Sequence, residues 1–122
     1  MGNRFLRSLR FAGRGLATVY QTEQNFRLQL IALVGVVTLG GVLHVGAARS
    51  LVLIIVGTAV LVLECINSAV ERLLDLVQPR LHGYVREIKD LMAGAVLIAS
   101  LGAAVVGFII LVPSLLSSLH LP

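Results

Sequence analysis

Four polar side chains, Glu64, Asn67, Glu71 and Asp75, follow one another at intervals of three, four and four residues. A helix turns about 100° per residue, so a helix through this segment would place all four within an arc of about 80°. Carboxylates in such a row can accept protons, and their oxygen atoms suit hard cations such as Mg²⁺. The spacing therefore predicts one shared site along one helix face.

The row follows an apolar segment. Residues 50–63 contain no Lys, Arg, Asp or Glu. Their helix would rise about 21 Å, which is most of a hydrocarbon core about 30 Å thick. Glu64 is thus predicted near the edge of the core, with Glu71 about 10 Å further along. An acidic side chain at the depth of Glu64 has an unfavourable free energy, so a residue of this type there is expected to have a function.

Composition indicates an integral membrane protein, because 57% of the 122 residues are apolar and 13% are charged. A soluble domain of this size could not bury so much apolar surface. Charged residues are also absent from residues 28–48 and 91–122. We predict an all-α membrane protein with a single domain, 1–122, and three spans. The spans are expected at about residues 28–48, 50–77 and 88–112.

A further helix is predicted over residues 3–24. One side is apolar and the opposite side is basic, as expected of an amphipathic helix that lies on a membrane surface. The apolar stripe is Phe5, Leu9, Ala12 and Leu16, and the basic residues are Arg4, Arg7, Arg10 and Arg14.

Basic residues predict the orientation. They precede the first span and recur at Arg80, Arg86 and Lys89, whereas Arg49 alone marks the loop between the first two spans. The positive-inside rule then places the N-terminus and the 78–90 loop in the cytoplasm and the C-terminus outside. The net charge of +4 is explained by this orientation, and no motif predicts a nucleic-acid partner.

Conventional nucleotide-binding and hydrolase motifs are missing from the sequence. It contains no GxxxxGKS/T, GxGxxG, HEXXH or GxSxG segment. A nucleotide site in this chain would therefore be of another kind.

The chain resembles the small bacterial membrane-integral diacylglycerol kinases, a family that includes the undecaprenol kinases. The matching residues are Glu64-Cys-Ile-Asn67-Ser68-Ala69-Val-Glu71, Asp75, His82, Lys89-Asp90 and Ala93-Gly94-Ala95-Val96-Leu97, with Gly15-Leu16, Glu23 and Phe26-Arg27 ahead of the first span. The resemblance implies a homotrimer of three-span subunits in the bacterial inner membrane. It also implies Mg²⁺ as cofactor and transfer of the γ-phosphate of ATP to a lipid hydroxyl.

The resemblance assigns roles to individual residues. Glu64 would be the general base, a role that its depth beside the apolar segment also favours. Glu23 and Glu71 would hold Mg²⁺, and Asn67 and Asp75 would support them. The nucleotide-binding residues implied by the family are Arg4, Phe11, Glu23, Glu71, His82, Lys89 and Asp90.

Several of these residues also have plainer interpretations. Glu71 could mark the end of a span in water, and Lys89 could anchor the topology. Asp75 could form a surface ion pair with Arg72 or Arg86. His82 could be an ordinary loop residue.

The sequence departs from the family at two places. Residues 78–81 replace a segment that usually contains an acidic residue and Tyr, and Phe11 stands where some relatives have Tyr near the adenine. Both changes concern the predicted nucleotide contacts.

Two classes of function follow. The first is an ATP-dependent lipid kinase that acts on diacylglycerol or, alternatively, on undecaprenol, with sites shared between subunits so that Glu23 or Arg4 of one chain complements Glu64 of another. The second is a non-enzymatic, cation-binding membrane subunit. Conduction is disfavoured because the outer halves of the spans offer few polar side chains, among them Thr38, His44 and Thr58.

Overall fold

The computed structural model describes residues 2–120, which form four helices. They are α1 (Gly2–Thr22), α2 (Gln24–Val42), α3 (Ala47–Asp75) and α4 (His82–Leu119). The prediction of an all-helical chain is confirmed.

The prediction of three membrane spans is also confirmed at the level of length and composition. Helices α2, α3 and α4 each contain an apolar stretch of 18 residues, with mean hydropathies of 1.5, 2.3 and 2.8. At 1.5 Å per residue they measure about 29, 44 and 57 Å. A hydrocarbon core is about 30 Å thick, so α3 and α4 extend well beyond it.

The helices end at different residues from the predicted spans. Helix α2 stops at Val42 rather than 48, because the chain turns at His44 (φ 53°) and Gly46 (φ 98°). Helix α4 begins at His82 rather than 88 and continues through Pro113 to Leu119. Proline is tolerated in membrane helices. Because α4 begins at His82, Lys89 lies on this helix rather than in the predicted 78–90 loop.

Helix α1 is exposed along both of its predicted faces. Every residue from Asn3 to Thr22 except Val19 is exposed, including the apolar Phe5 and Leu9 and the neighbouring arginines. The single-residue junction at Glu23 separates α1 from α2. The Arg27 guanidinium caps the end of α1 by donating to the carbonyl oxygens of Tyr20 (2.6 Å) and Gln21 (3.1 Å).

Helix α3 is the centre of the packing. It contributes buried Leu53, Val60 and Leu74 and contacts both α2 and α4. A glycine at position 57 permits the close approach of α2, since a Cβ atom there would overlap the side chain of Leu33. Small residues permit such close contact between membrane helices.

Replacing Gly57 by Leu should therefore separate α2 from α3 and lower the free energy of unfolding by about 1 to 3 kcal/mol, as overpacking generally does. Unfolding in detergent micelles measures the loss. Gly102→Leu is the matched control, because nothing lies within 4 Å of a Cβ placed at Gly102. Equal stability of the two variants would contradict the packing described for Gly57.

Candidate functional site

Helix α3 runs without interruption through Glu64, Asn67, Glu71 and Asp75, so the four side chains share one helix face. Glu64 is buried, with 2% of its surface exposed, and Asn67 and Glu71 are half-buried. Asp75, the last residue of the helix, is exposed. The face thus passes from a buried carboxylate to an exposed one.

Glu64 is held by a residue of α2. The Gln29 side-chain amide donates from Nε2 to Glu64 Oε1 at 2.9 Å. A buried carboxylate needs hydrogen-bond donors in place of water, and Gln29 supplies one without adding charge. This contact fixes the carboxylate in one orientation.

Glu23 reaches the same face from the junction between α1 and α2. The Ser68 hydroxyl donates to Glu23 Oε1 at 3.1 Å, and Ser68 is itself buried. Arg72 donates to the Ser68 hydroxyl and, through Nη2, to Thr22 Oγ1 at 3.1 Å. The result is a chain of contacts from Arg72 through Ser68 to Glu23 that joins the end of α1 to α3.

Glu71 is supported by its own helix. Asn67 Nδ2 donates to Glu71 Oε1 at 3.4 Å. Glu23 and Glu71 are therefore attached to neighbouring positions of α3, Ser68 and Asn67. Each carboxylate thus has a hydrogen-bond donor in the same turn of α3.

The donor set fits Mg²⁺ bound together with phosphates. Within residues 2–120 no group of three or more His, Cys, Asp or Glu side chains could hold a metal ion. Mg²⁺ usually takes one or two carboxylates and completes its shell with water and substrate phosphates. Glu23 and Glu71 offer that pair of hard oxygen ligands rather than a closed cage.

Lys89 and Asp75 connect α4 to the end of α3. Lys89 Nζ lies 3.4 Å from Asp75 Oδ1, and the two side chains are 38% and 63% exposed. Asp75 thus pairs with Lys89, whereas the plainer interpretation paired it with Arg72 or Arg86. An exposed pair of this kind adds little stability, but it places a cation beside the carboxylate row.

Within the described residues, the remaining predicted nucleotide contacts have no hydrogen bond to the row. Among residues 2–120, no hydrogen bond joins the side chain of Arg4, Phe11, His82 or Asp90 to the row, and all four residues are exposed. The Arg14 guanidinium lies 6.0 Å from the centroid of the Phe11 ring. The guanidinium thus covers one face of the ring that is predicted to stack on adenine, in a cation–π contact.

Sequence reasoning assigned no role to Gln29, quoted Ser68 only as a family motif residue and gave Arg72 only a possible ion pair with Asp75, although all three contact the predicted carboxylates or their partners. Spacing could have revealed two of them, since Ser68 follows Glu64 by four residues and Arg72 follows Ser68 by four. Gln29 required the packing of α2 on α3.

Comparison with known proteins gives a consistent result. The family model described as prokaryotic diacylglycerol kinase matches residues 10–111. A diacylglycerol kinase from Synechocystis is 38% identical over 111 residues, which are 90% of this chain and 63% of that protein. The chain therefore spans somewhat less than two thirds of the length of this relative.

Two further relatives match over most of both chains. An undecaprenol kinase from Bacillus subtilis is 29% identical over 113 residues, covering 93% of this chain and 92% of the relative. A diacylglycerol kinase from Escherichia coli is 29% identical over 108 residues, covering 88% of each chain. The chain belongs to the prokaryotic diacylglycerol kinase family of membrane enzymes, lipid kinases that transfer phosphate to an alcohol.

Proposed function

We propose that this chain transfers the γ-phosphate of Mg-ATP to the hydroxyl of diacylglycerol, giving phosphatidic acid. The observation that carries the proposal is a buried carboxylate, Glu64, held by an uncharged donor at the point where an apolar helix becomes polar. A lipid alcohol reaches that depth from the bilayer, whereas ATP reaches the exposed end of the same helix face from water.

Glu64 would take the proton of the acceptor hydroxyl. The Gln29 contact uses Oε1 of Glu64, which leaves Oε2 for the alcohol. As the O–H bond breaks and the proton moves to Glu64, the alcohol oxygen bonds to the γ-phosphorus and the bond to the β-phosphate oxygen breaks. Such a step needs a positioned base and stabilisation of charge on the phosphates.

Mg²⁺ would be held by Glu23 and Glu71, and it would neutralise charge on the phosphates. Asn67 lies between the base and Glu71, within reach of the same carboxylate. Lys89 would serve as a point charge for the β- and γ-phosphates. Its present partner, Asp75, would then act as the group that keeps the ammonium at this level of the site.

Undecaprenol is the second candidate acceptor. The Bacillus subtilis relative is named undecaprenol kinase and matches 93% of this chain, a coverage at least as full as that of the diacylglycerol kinases. Both alcohols would place a hydroxyl near Glu64 and an apolar body in the bilayer. A cation-binding subunit without activity is less well supported, because the polar row is confined to one end of α3.

We also propose that the enzyme is a homotrimer in the bacterial inner membrane, with α1 on the cytoplasmic surface. Within one subunit Arg4 and Phe11 are exposed on α1, and no hydrogen bond described in residues 2–120 joins them to the carboxylate row. Glu23, in contrast, reaches the row of its own chain. The shared site would therefore combine Glu64 and Glu23 of one subunit with Arg4 of its neighbour.

The decisive assay is transfer of labelled phosphate from Mg-ATP to diacylglycerol and to undecaprenol in parallel micelles. We expect a lipid phosphate product, and we expect Glu64→Gln to lower kcat by about 100- to 10,000-fold, the usual contribution of general base catalysis. Glu87→Gln, an exposed change on α4, should be active. Absence of transfer to both lipids by the unaltered protein would refute the proposed activity.

Sharing between subunits can be tested by mixing Glu64→Gln with Arg4→Ala protein under conditions of subunit exchange. Each variant alone should be weakly active. If Arg4 acts across the interface of a closed ring, an equal mixture should recover about a quarter of the unaltered activity, because about one interface in four joins an intact Glu64 to an intact Arg4. No recovery would place both residues in the same subunit's site.

The hydrogen bond from Ser68 to Glu23 predicts that the affinity for Mg²⁺ depends on Ser68. Ser68→Ala removes the hydroxyl between Arg72 and Glu23, and loss of such a supporting hydrogen bond should weaken Mg²⁺ affinity about 10-fold. Binding of Mn²⁺, followed by its paramagnetic resonance signal in the presence of an unreactive ATP analogue, measures this directly. The Ser114 hydroxyl donates to Ile110 O on α4, far from Glu23 in sequence, so Ser114→Ala should bind the ion with the affinity of the unaltered protein. An affinity of Ser68→Ala equal to that of Ser114→Ala would contradict the proposed support of Glu23.

A further inference from the structure

A polar pocket lies at the end of the helix bundle opposite the carboxylate row. It has a volume of about 380 Å³ and is formed by the turn between α2 and α3 together with the last turns of α4. A guanidinium, an imidazole and three hydroxyl groups line it, and its described lining includes no acidic side chain. The polar residues are His44, Arg49, Ser114, Ser117 and Ser118.

The pocket lies at the depth of lipid headgroups. Arg49 is about 39 Å from Asp75 along α3, and Ser117 is about 42 Å from Lys89 along α4. Asp75 and Lys89 contact each other at the other end of the bundle. Both distances exceed the thickness of a hydrocarbon core, about 30 Å. The pocket therefore faces the leaflet opposite the carboxylate row.

The positive charge of Arg49 is far from every acidic side chain of the chain. Glu64, the first acidic residue after Arg49 on α3, is about 22 Å further along that helix. Within residues 2–120, no ion pair or side-chain hydrogen bond involves Arg49 or His44, and the ion pair of Lys89 is at the other end. All the acidic residues belong to that other end: Glu23, Glu64, Glu71, Asp75, Glu87 and Asp90.

The donors that line the pocket suit a phosphate group. A guanidinium can donate two parallel hydrogen bonds to phosphate oxygens, and hydroxyl and imidazole groups add further donors. Arg49 is in the first turn of α3, and the residue that precedes this helix, Gly46, makes no side-chain cap. The positive end of the helix dipole thus adds to the attraction for an anion.

The rest of the pocket wall favours a lipid over a free ion. Val42, Leu43 and Pro113 complete the lining, and Val42 is 66% exposed, on the surface of an apolar helix. Inorganic phosphate would leave these apolar groups without a contact. A second copy with the same orientation could not supply a carboxylate side chain, because its own acidic residues are at the opposite end.

We propose that this pocket binds the phosphate group of an anionic phospholipid in the leaflet opposite the carboxylate row. Arg49 carries the charge that attracts the phosphate, and His44, Ser117 and Ser118 are additional donors. The hydrocarbon chains of the lipid lie beside Val42. This site is separate from the carboxylate row and does not depend on the proposed kinase function.

The bound lipid would link two parts of the structure. Among residues 2–120, no hydrogen bond or ion pair joins the turn between α2 and α3 to the last turns of α4. A phosphate held by Arg49 on one side and by Ser117 and Ser118 on the other would supply that connection. A ligand that binds only the folded state also raises the free energy of unfolding.

The test follows thermal unfolding of the full chain in a nonionic detergent as phosphatidylglycerol is added. We expect Tm to rise until the site is saturated. Arg49→Gln should require about 10-fold more lipid for half of the rise, because a charge-assisted hydrogen bond is lost. Arg86→Gln is the matched control, since it removes the same charge from an exposed position at the other end of the bundle, and it should match the unaltered protein.

A second variant tests the hydroxyl groups without changing the charge. Replacing both Ser117 and Ser118 by Ala should raise the half-saturating amount of lipid about 3- to 10-fold. Without lipid, these variants and Arg49→Gln should unfold at the Tm of the unaltered protein, because the replaced side chains form no hydrogen bond within residues 2–120. A merely structural role would instead lower that Tm.

Two other additions identify the ligand. A neutral glucosyl diacylglycerol with the same chains lacks the phosphate, and inorganic phosphate lacks the chains, so neither should reproduce the rise in Tm. An equal rise with the glycolipid would overturn recognition of phosphate, and an equal rise with inorganic phosphate would overturn the assignment to a lipid. No rise with phosphatidylglycerol, or the same half-saturating amount for Arg49→Gln and Arg86→Gln, would overturn the site itself.

Discussion

The structure depends on a carboxylate placed where carboxylates are costly. Glu64 is almost fully buried on a helix that is apolar for the preceding 14 residues, and water is replaced there by a single described donor, the amide of Gln29. This requirement explains why α2 must pack closely on α3 and why Gly57 is at their contact. A looser pair of helices would leave the charge without its partner.

The polar contacts further along α3 serve a different purpose. Arg72, Ser68 and Thr22 join the end of α1 to α3 and hold Glu23 beside the row. None of them buries much apolar surface, and Arg72 and Thr22 are exposed. The bilayer and the packing of α2, α3 and α4 provide stability, whereas these contacts provide position, which is what a site for a metal and a nucleotide requires.

Much of the architecture could be predicted from the sequence, because long charge-free segments have few alternatives to membrane helices. The row from Glu64 to Asp75 could be predicted for the same reason, since helical periodicity fixes which residues share a face. The ends of the helices could not. Gly46 and His44 end α2 through backbone conformation, and Pro113 remains inside α4 despite its missing donor. Gln29 was also hidden, because only tertiary packing makes an amide in an apolar helix a partner of Glu64.

The junction at Glu23 has a mechanical consequence. A single residue with extended backbone (φ −113°, ψ 108°) separates two helices of 21 and 19 residues, and that residue carries a carboxylate of the site. Any change in the angle between α1 and α2 must be taken up largely by the torsions of Glu23, since the helices on either side are stiff. A change in the tilt of α1 relative to α2 would therefore rotate the backbone of Glu23, a candidate metal ligand, and change the direction in which its carboxylate points.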